Sequence, residues 1–344
     1  MVSERGLQVL RAIVEDFVET NEPVGSRSIV ERHAFGVSAA TIRNDMAQLE
    51  DEELIVAPHT SSGRVPTDKG YRVFVDHLAQ LRPLSGAQRS AITAFLTDPA
   101  DLDDLMVRTV RVLTRLTGQV ALAQYPSFAR AHVTHVELVA LGPRRLLAVI
   151  VTDAGGVSQR IIALPADLDE VELSSLRARL TVLLVGRSVR NGVERIAGLQ
   201  DAPEASALAF AQAALRRAVT EELEEFRQER LVMAGAATLA RREHDFRGSI
   251  HPLLEAIEEQ VTLLRLMSEM VTDEQGLAAS IGAENEAFGL PEASIVASNY
   301  VTPSGTARVG VMGPTRMDYP SNLAAARAVA RYLSRLLDED EAGR

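Results

Sequence analysis

Residues 37–71, VSAATIRNDMAQLEDEELIVAPHTSSGRVPTDKGY, constrain this chain more than any other stretch. Ser38 stands as a cap before a run in which Ile42, Met46 and Leu49 share one face of a helix over about 39–52. Leu54–Ala57 reads as a short strand, and Pro58–Gly63 is turn chemistry, with Gly63 free to take a positive φ. Arg64-Val65 returns as a second strand and Pro66 stops it. Thr67 then caps a new helix with Asp68 in its first turn. Upstream, Ser3 caps a helix bearing Leu7, Leu10, Ile13, Val14, Phe17 and Val18 on one face, and Asn21, Pro23 and Gly25 end it. Ser26 caps a second, short helix reaching about His33. Three helices followed by a two-stranded hairpin read as a winged helix-turn-helix over residues 1–78.

The third helix turns Ala40, Asn44, Ala47 and Gln48 away from its apolar face, with Thr41 and Arg43 at the flanks. Asn and Gln suit adenine edges, Arg suits guanine or phosphate, and Ala or Thr can touch a thymine methyl. Small residues also let a helix sit deep in a groove. The same face fits the solvent side of a small helical bundle. The candidate DNA contacts are Ser38, Ala40, Thr41, Arg43, Asn44 and Gln48 on the helix, and Thr60, Ser61, Ser62 and Arg64 on the hairpin. Lys69 and Arg72, near the start of the next helix, extend the backbone contact. Charge limits this reading. The chain carries −11 overall, and residues 1–78 hold 8 basic against 13 acidic side chains. Positive charge must therefore be segregated on one face. Glu50, Asp51, Glu52 and Glu53 crowd the far end of the third helix, where they can point away from DNA.

The remaining chain is long enough for one or two further cores. Residues 79–118 read as a linker and a helix near Leu102–Leu116 that ends at Gly118. From Gln119 the apolar period falls to two, giving strands at Gln119–Tyr125, Val133–Leu141, Arg145–Thr152 and Val157–Leu164. Leu146–Val151 is continuously apolar and belongs at the centre of a sheet. A helix follows over about Asp169–Val185, closing a first part of this domain at 119–185. Residues 186–247 are Ala-, Arg- and Glu-rich and read as an inserted segment, with helices at Glu204–Arg217 and Glu221–Met233. The second part, 248–344, holds a helix over Ser249–Met270, strands at Ala293–Val301 and Thr306–Met312, and a closing helix over Asn322–Leu337. Both parts are expected to share one antiparallel sheet, which makes the whole chain α+β and multidomain.

Enzyme chemistry finds little purchase. The chain has no cysteine, which removes thiolate ligands, thiol nucleophiles and disulfides and fits a reducing cytoplasm. His132 and His135 are three apart on a strand and face opposite sides, a poor metal pair. No HExxH, Walker A or GxSxG pattern occurs. Glu284 and Glu286 sit in a glycine-flanked structured loop. Thr315, Arg316 and Asp318 either bind an anion at the start of the last helix or, by an Arg316–Asp318 pair, fix their own loop. No apolar run reaches membrane-spanning length, and the N-terminus has no signal-peptide pattern. The expectation is a non-enzyme with no cofactor, no metal and no membrane partner.

VSAATIRNDMAQLE and PHTSSGRVPTDKGYRVFVDHL closely resemble the N-terminal domain of the HrcA family of heat-inducible transcription repressors. DFRGSIHPLLEAIEEQVTLLRLM, IGAENEAFGLPEASIVASNY and GTARVGVMGPTRMDYP are similar to its later regions. Together these blocks cover most of the chain, with residues 165–240 the least distinctive. The resemblance implies a winged-helix repressor that reads the inverted-repeat CIRCE operator upstream of chaperone genes. It implies a homodimer paired through a GAF-like domain, interrupted by the insertion, and activity tuned by the GroE chaperonin. A metabolite-gated regulator, using the GAF-like domain as a small-molecule sensor, is the alternative.

Overall fold

The computed structural model describes residues 2–59, 62–78, 81, 83–126, 131–153, 156–164, 167–197, 207–225, 230–246, 248–302 and 305–342. It divides into two compact units: Met1–Ala123 with Leu231–Asn299 and Arg308–Ala330, and Gln124–Arg230 with Tyr300–Ala307 and Arg331–Arg344.

The first unit opens with a helical head. Helix α1 (Glu4–Thr20) begins where the Ser3 hydroxyl accepts from the Gly6 N–H at 3.0 Å, and it ends at Asn21 in the left-handed region (φ 56°). It buries Val9, Leu10, Ile13 and Val14. Helix α2 (Ser26–Arg32) starts at Ser26, whereas the sequence reading places Ser26 outside as a cap. Gly25 holds the cap position instead, without a side-chain bond. Helix α3 (Ala39–Asp51) is capped by Ser38, whose hydroxyl accepts from the Thr41 N–H at 3.2 Å. It buries Ile42, Met46 and Leu49 as expected, and also Asp45. Strands β1 (Ile55–Val56) and β2 (Val65–Pro66) pair antiparallel, Ile55 opposite Pro66. Pro66 is thus inside its strand rather than beyond it. Helix α4 (Asp68–Asp76) is capped by Thr67 and buries Tyr71 and Phe74.

A third strand-like segment joins this hairpin. The backbone of Val24, between α1 and α2, exchanges hydrogen bonds with Arg64, at 2.9 and 2.8 Å. That approach explains Gly63. Its φ is not positive, contrary to the turn reading. A Cβ there would instead lie 2.6 Å from the backbone of Pro23 and Val24. Glycine is required by contact rather than by torsion.

The body of the first unit follows. Residues 79–118 hold two helices, not one: α5 (Gly86–Leu96), which the sequence reading missed, and α6 (Leu102–Thr117). Helix α5 opens with a Ser85–Gln88 capping box and buries Ile92 and Leu96. Strand β3 (Val120–Gln124) is buried at every residue. A strand covered on both faces needs neighbours on both edges and helices on both sides. It pairs antiparallel with a late strand, Gly305–Pro314, inside a five-stranded sheet.

Strands β4 (Val133–Gly142), β5 (Arg145–Thr152) and β6 (Val157–Ala163) do not join that sheet. The expectation of one sheet is therefore corrected. They form a separate antiparallel meander with β5 central, the position its continuous apolar run predicts. These strands alternate, so one face alone packs, against α7 (Glu170–Leu184), α8 (Val189–Ala197) and α9 (Ala207–Glu225). This meander and its helices make up most of the second unit. The expected insertion at 186–247 contains only part of it, and the pair of helices expected over 204–233 is one helix within the described residues.

The chain then returns to the first unit. Leu231–Ala234 is strand β7 at the sheet edge, not the end of a helix. Short helix α10 (Ala236–Arg241) precedes α11 (His251–Glu259) and α12 (Val261–Glu269). These last two replace the single expected helix, because Gln260 between them is left-handed (φ 56°). Their apolar faces pack on the same sheet through Leu253, Leu263, Leu266 and Met267. Strand β8 (Leu277–Ile281), a further element missed in the sequence, precedes β9 (Ala293–Thr302), β10 (Gly305–Pro314) and the closing helix α13 (Tyr319–Ala342), and the sheet order is β7-β3-β10-β9-β8.

Gly63→Ala should push the hairpin off Val24, costing about 1–3 kcal/mol as an overpacked contact does. Urea denaturation followed by circular dichroism reads that loss, and a wild-type midpoint would remove the close approach.

Candidate nucleic-acid interface

The head presents one face of α3. Ser38, Ala40, Arg43, Asn44, Ala47 and Gln48 are exposed, and Thr41 is half-buried. Arg43, Asn44 and Gln48 make no side-chain hydrogen bond or ion pair with a described residue, so their polar ends are free. The six helix residues expected to meet bases thus stand together on one surface.

The hairpin is different in character. Thr60 and Ser61 lie outside the described residues. The Ser62 hydroxyl accepts from the His59 N–H at 3.0 Å and donates to the His59 carbonyl at 2.7 Å, closing the turn on itself. Arg64 spends three of its five donors internally. Its Nε and Nη2 reach Glu50 at 3.0 and 2.8 Å, and its Nη1 reaches the Ser62 carbonyl at 3.2 Å. Lys69 donates to the Glu52 carbonyl at 2.8 Å. Arg72 is turned to the body: its Nε donates to Glu284 at 2.6 Å and its Nη2 to the Ala279 carbonyl at 2.8 Å. Burial alone would lower the Arg72 guanidinium's pKa, but Glu284, by hydrogen bond and charge, and then Asp76 raise it above its ordinary value. The structure therefore gathers the helix residues and disperses the cations of the hairpin and α4.

This dispersal answers the charge problem in part. Arg11 pairs with Glu15, Arg32 with Asp16, Arg5 with Asp45, Arg64 with Glu50 and Lys69 with Glu53. Among the described residues of the head, Arg27 and Arg43 are the cations left without an ion pair. Arg27 is exposed on α2. The sequence reading missed it, since nothing local separates it from Arg32; only the pairing pattern does.

Comparison with known proteins agrees with this architecture. The family model described as "HrcA protein C terminal domain" matches residues 103–322. The chain belongs to the HrcA family. A relative from Clavibacter michiganensis subsp. michiganensis, named heat-inducible transcription repressor HrcA, is 59% identical over 340 residues, spanning 98% of this chain and 100% of its own. One of the same name from Leifsonia xyli subsp. xyli is 57% identical over the same spans. A crystal structure described only as a hypothetical protein is similar at a TM-score of 0.65 and 25% identity, covering 98% of this chain and 99% of that one.

Two side chains behind the exposed face hold α3 in place. Asp45, buried on the far side of the helix, receives Arg5 Nε at 2.8 Å and Nη2 at 3.0 Å. That hydrogen bond, and then Asp45's charge, raise the Arg5 pKa. Glu50, a turn further on, holds Arg64. Other candidate groups resolve into structural roles. His132 meets Asp153 and His135 meets Glu137. Arg316 does not pair with Asp318. It donates to Asp245 and, at 2.9 Å, to the Val18 carbonyl, while Asp318 accepts from the Ser321 N–H. Asp245 is the better partner because it is almost fully buried and already carries Arg242. No helix among the described residues is long and apolar enough to cross a membrane.

Arg5→Ala should lower the thermal midpoint by stranding the Asp45 carboxylate, since a buried charge without its partner is costly. Adding Asp45→Asn should recover part of that loss. Scanning calorimetry of the two single variants and the double one checks this, and additive losses would show that the pair is not coupled.

Proposed function

We propose that this chain is a cytoplasmic, heat-inducible repressor of heat-shock chaperone genes, acting as a homodimer on the CIRCE inverted repeat under control of the GroE chaperonin. Residues 1–78 act as a winged helix-turn-helix, with α3 as the recognition helix and β1–β2 as the wing. The observation that carries this reading is the exposed face of α3. It holds two amides, a free arginine and small side chains, set on a helix that buried Ile42, Met46 and Leu49 lock in rotation. The relatives' shared name supplies the biological class.

In the complex, Ala40, Thr41, Arg43, Asn44 and Gln48 enter the major groove, while Ser38 at the cap meets the backbone. Thr60, Ser61, Ser62 and Arg64 hold phosphate from the wing. Two donors of Arg64 remain for this after Glu50 and Ser62 take theirs. Lys69 stands nearby, and Arg27 adds a phosphate contact from α2, the helix that crosses the backbone in this motif. A head with so little free positive charge binds weakly alone. Two heads on a two-fold operator multiply that affinity through effective concentration. The GAF-like fold of the five-stranded sheet and its helices supplies the pairing. A chaperonin that binds and stabilises the active dimer then sets the repressing fraction by mass action.

One observation favours metabolite control as a second reading. An open cleft of about 1120 Å³ lies beside α4, lined by Arg72, Leu78, Leu277, Glu284, Phe288 and Leu323 among others. A ligand there would bear on the same arginine that joins head to body. A thermal shift produced by small metabolites but not by chaperonin would favour it.

Selection of bound sequences from random DNA should return an inverted repeat; a featureless pool would sink the repressor reading. Arg43→Ala and Asn44→Ala should each weaken operator binding by about 1–3 kcal/mol, measured by anisotropy against a scrambled site. Arg64→Ala should weaken all sequences alike and reduce the salt slope by about 1. An unchanged slope would assign Arg64 to Glu50 alone.

A further inference from the structure

We infer that Arg72 is a positioning residue, which with Asp68 and Arg316 ties the DNA-reading head rigidly to the sheet body. The tether fixes the angle at which α3 meets a half-site. This rests on the winged-helix reading above and gives Arg72 a role other than DNA contact.

Two points of attachment carry the inference, and each joins segments far apart in sequence. At the first, the start of α4 lies against the loop Gly282–Phe288 that follows β8. Arg72 is bidentate on Glu284 and also donates to the Ala279 carbonyl. The Asp68 carboxylate accepts from the Ala283 N–H at 2.9 Å. Gly282 sits at φ 52°, and a Cβ there would lie 2.2 Å from Asp68 Oδ2, so the loop is built to receive this carboxylate. Next to them the rings of Tyr71 and Tyr319 meet at 5.5 Å between centroids.

The receiving loop is itself fixed. Asn285, fully buried, donates to the Ala293 carbonyl at 2.8 Å and accepts from Ser280. Glu284 also accepts from the Ile281 N–H at 2.9 Å. Gly282 N–H donates to Ser294 at 3.3 Å, and the Ser294 and Tyr319 hydroxyls are hydrogen-bonded to each other at 3.0 Å. The chain of contacts runs from α4 through the loop and β9 to Tyr319 and back to Tyr71.

At the second point, Arg316, in the turn after β10, donates to the Val18 carbonyl in the last turn of α1. That carbonyl belongs to the end of a helix, where acceptors lack an intrahelical partner and a cation is favourable. Arg316 is held from behind by buried Asp245. One attachment leaves a swivel; two, on different helices of the head, remove it. A rigid connection makes a dimer discriminate half-site spacing, because a stiff linker that misses its span forfeits the second head's contribution.

The test uses the full chain and the inverted repeat recovered by selection, in its natural spacing and with two base pairs added, which turn one half-site by roughly 70° against the other. Wild type should bind the lengthened site at least about tenfold more weakly. Glu284→Ala should shrink that penalty to about threefold or less while leaving affinity for a single half-site unchanged. Arg72→Ala should match Glu284→Ala, the double variant should add nothing, and the reversed pair Arg72→Glu with Glu284→Arg should restore discrimination. If Arg72→Ala instead lowers the salt slope by about 1 and Glu284→Ala behaves as wild type, Arg72 contacts phosphate and the inference falls. Hydrogen exchange gives a reading that needs no DNA. Both single variants should speed exchange in residues 68–76 and 282–288 together; unchanged exchange in both segments overturns the tether. Should wild type bind no sequence at all, the repressor reading fails and exchange alone decides the attachment.

Discussion

Helix α4 serves two structures at once. Its Tyr71 and Phe74 complete the core of the head, and its Asp68 and Arg72 dock on the loop after β8. An ion pair at a partly exposed site contributes little by itself. Here it acts with a backbone N–H, a strand carbonyl, a tilted tyrosine pair and a glycine that makes room. Such a cluster specifies geometry more than it adds stability. The motif blocks TDKGYR and IGAEN, more than 200 residues apart in sequence, are each other's partners.

Charge follows from the same economy. An acidic head cannot bind a polyanion through bulk field. Some of its carboxylates are engaged by its own arginines: Asp16, Asp45 and Glu50 each hold a cation behind or beside the exposed face. What remains uncompensated toward solvent includes Arg27 and Arg43. The exposed face of α3 thus presents a few free polar groups rather than a broad positive field.

Much of the head was legible in the residues. Ser3, Ser38 and Thr67 cap the helices expected of them, because a cap depends on four consecutive residues and little else. The exposed face of α3 followed from periodicity. What escaped was whatever depended on distant partners. Asp45 gives no local sign that Arg5 waits forty residues upstream. Gln260 breaks a helix with no glycine or proline to announce it. Strands β7 and β8 are short and take their identity from the neighbours they pair with. Helix α5, by contrast, carries a locally readable Ser85–Gln88 capping box.

Residue spacing alone yields the local elements of the head, the exposed face of α3 and the family, since each rests on a few dozen residues. Tertiary structure alone decided that the strands after β3 form a sheet of their own, that Gly63 answers to a contact rather than a torsion, and that Arg72 faces the body. The physical reason is common to all three. Hydrogen-bond partners and van der Waals clearances across 40 to 200 residues have no one-dimensional signature, and a guanidinium goes to whichever carboxylate the fold brings within reach.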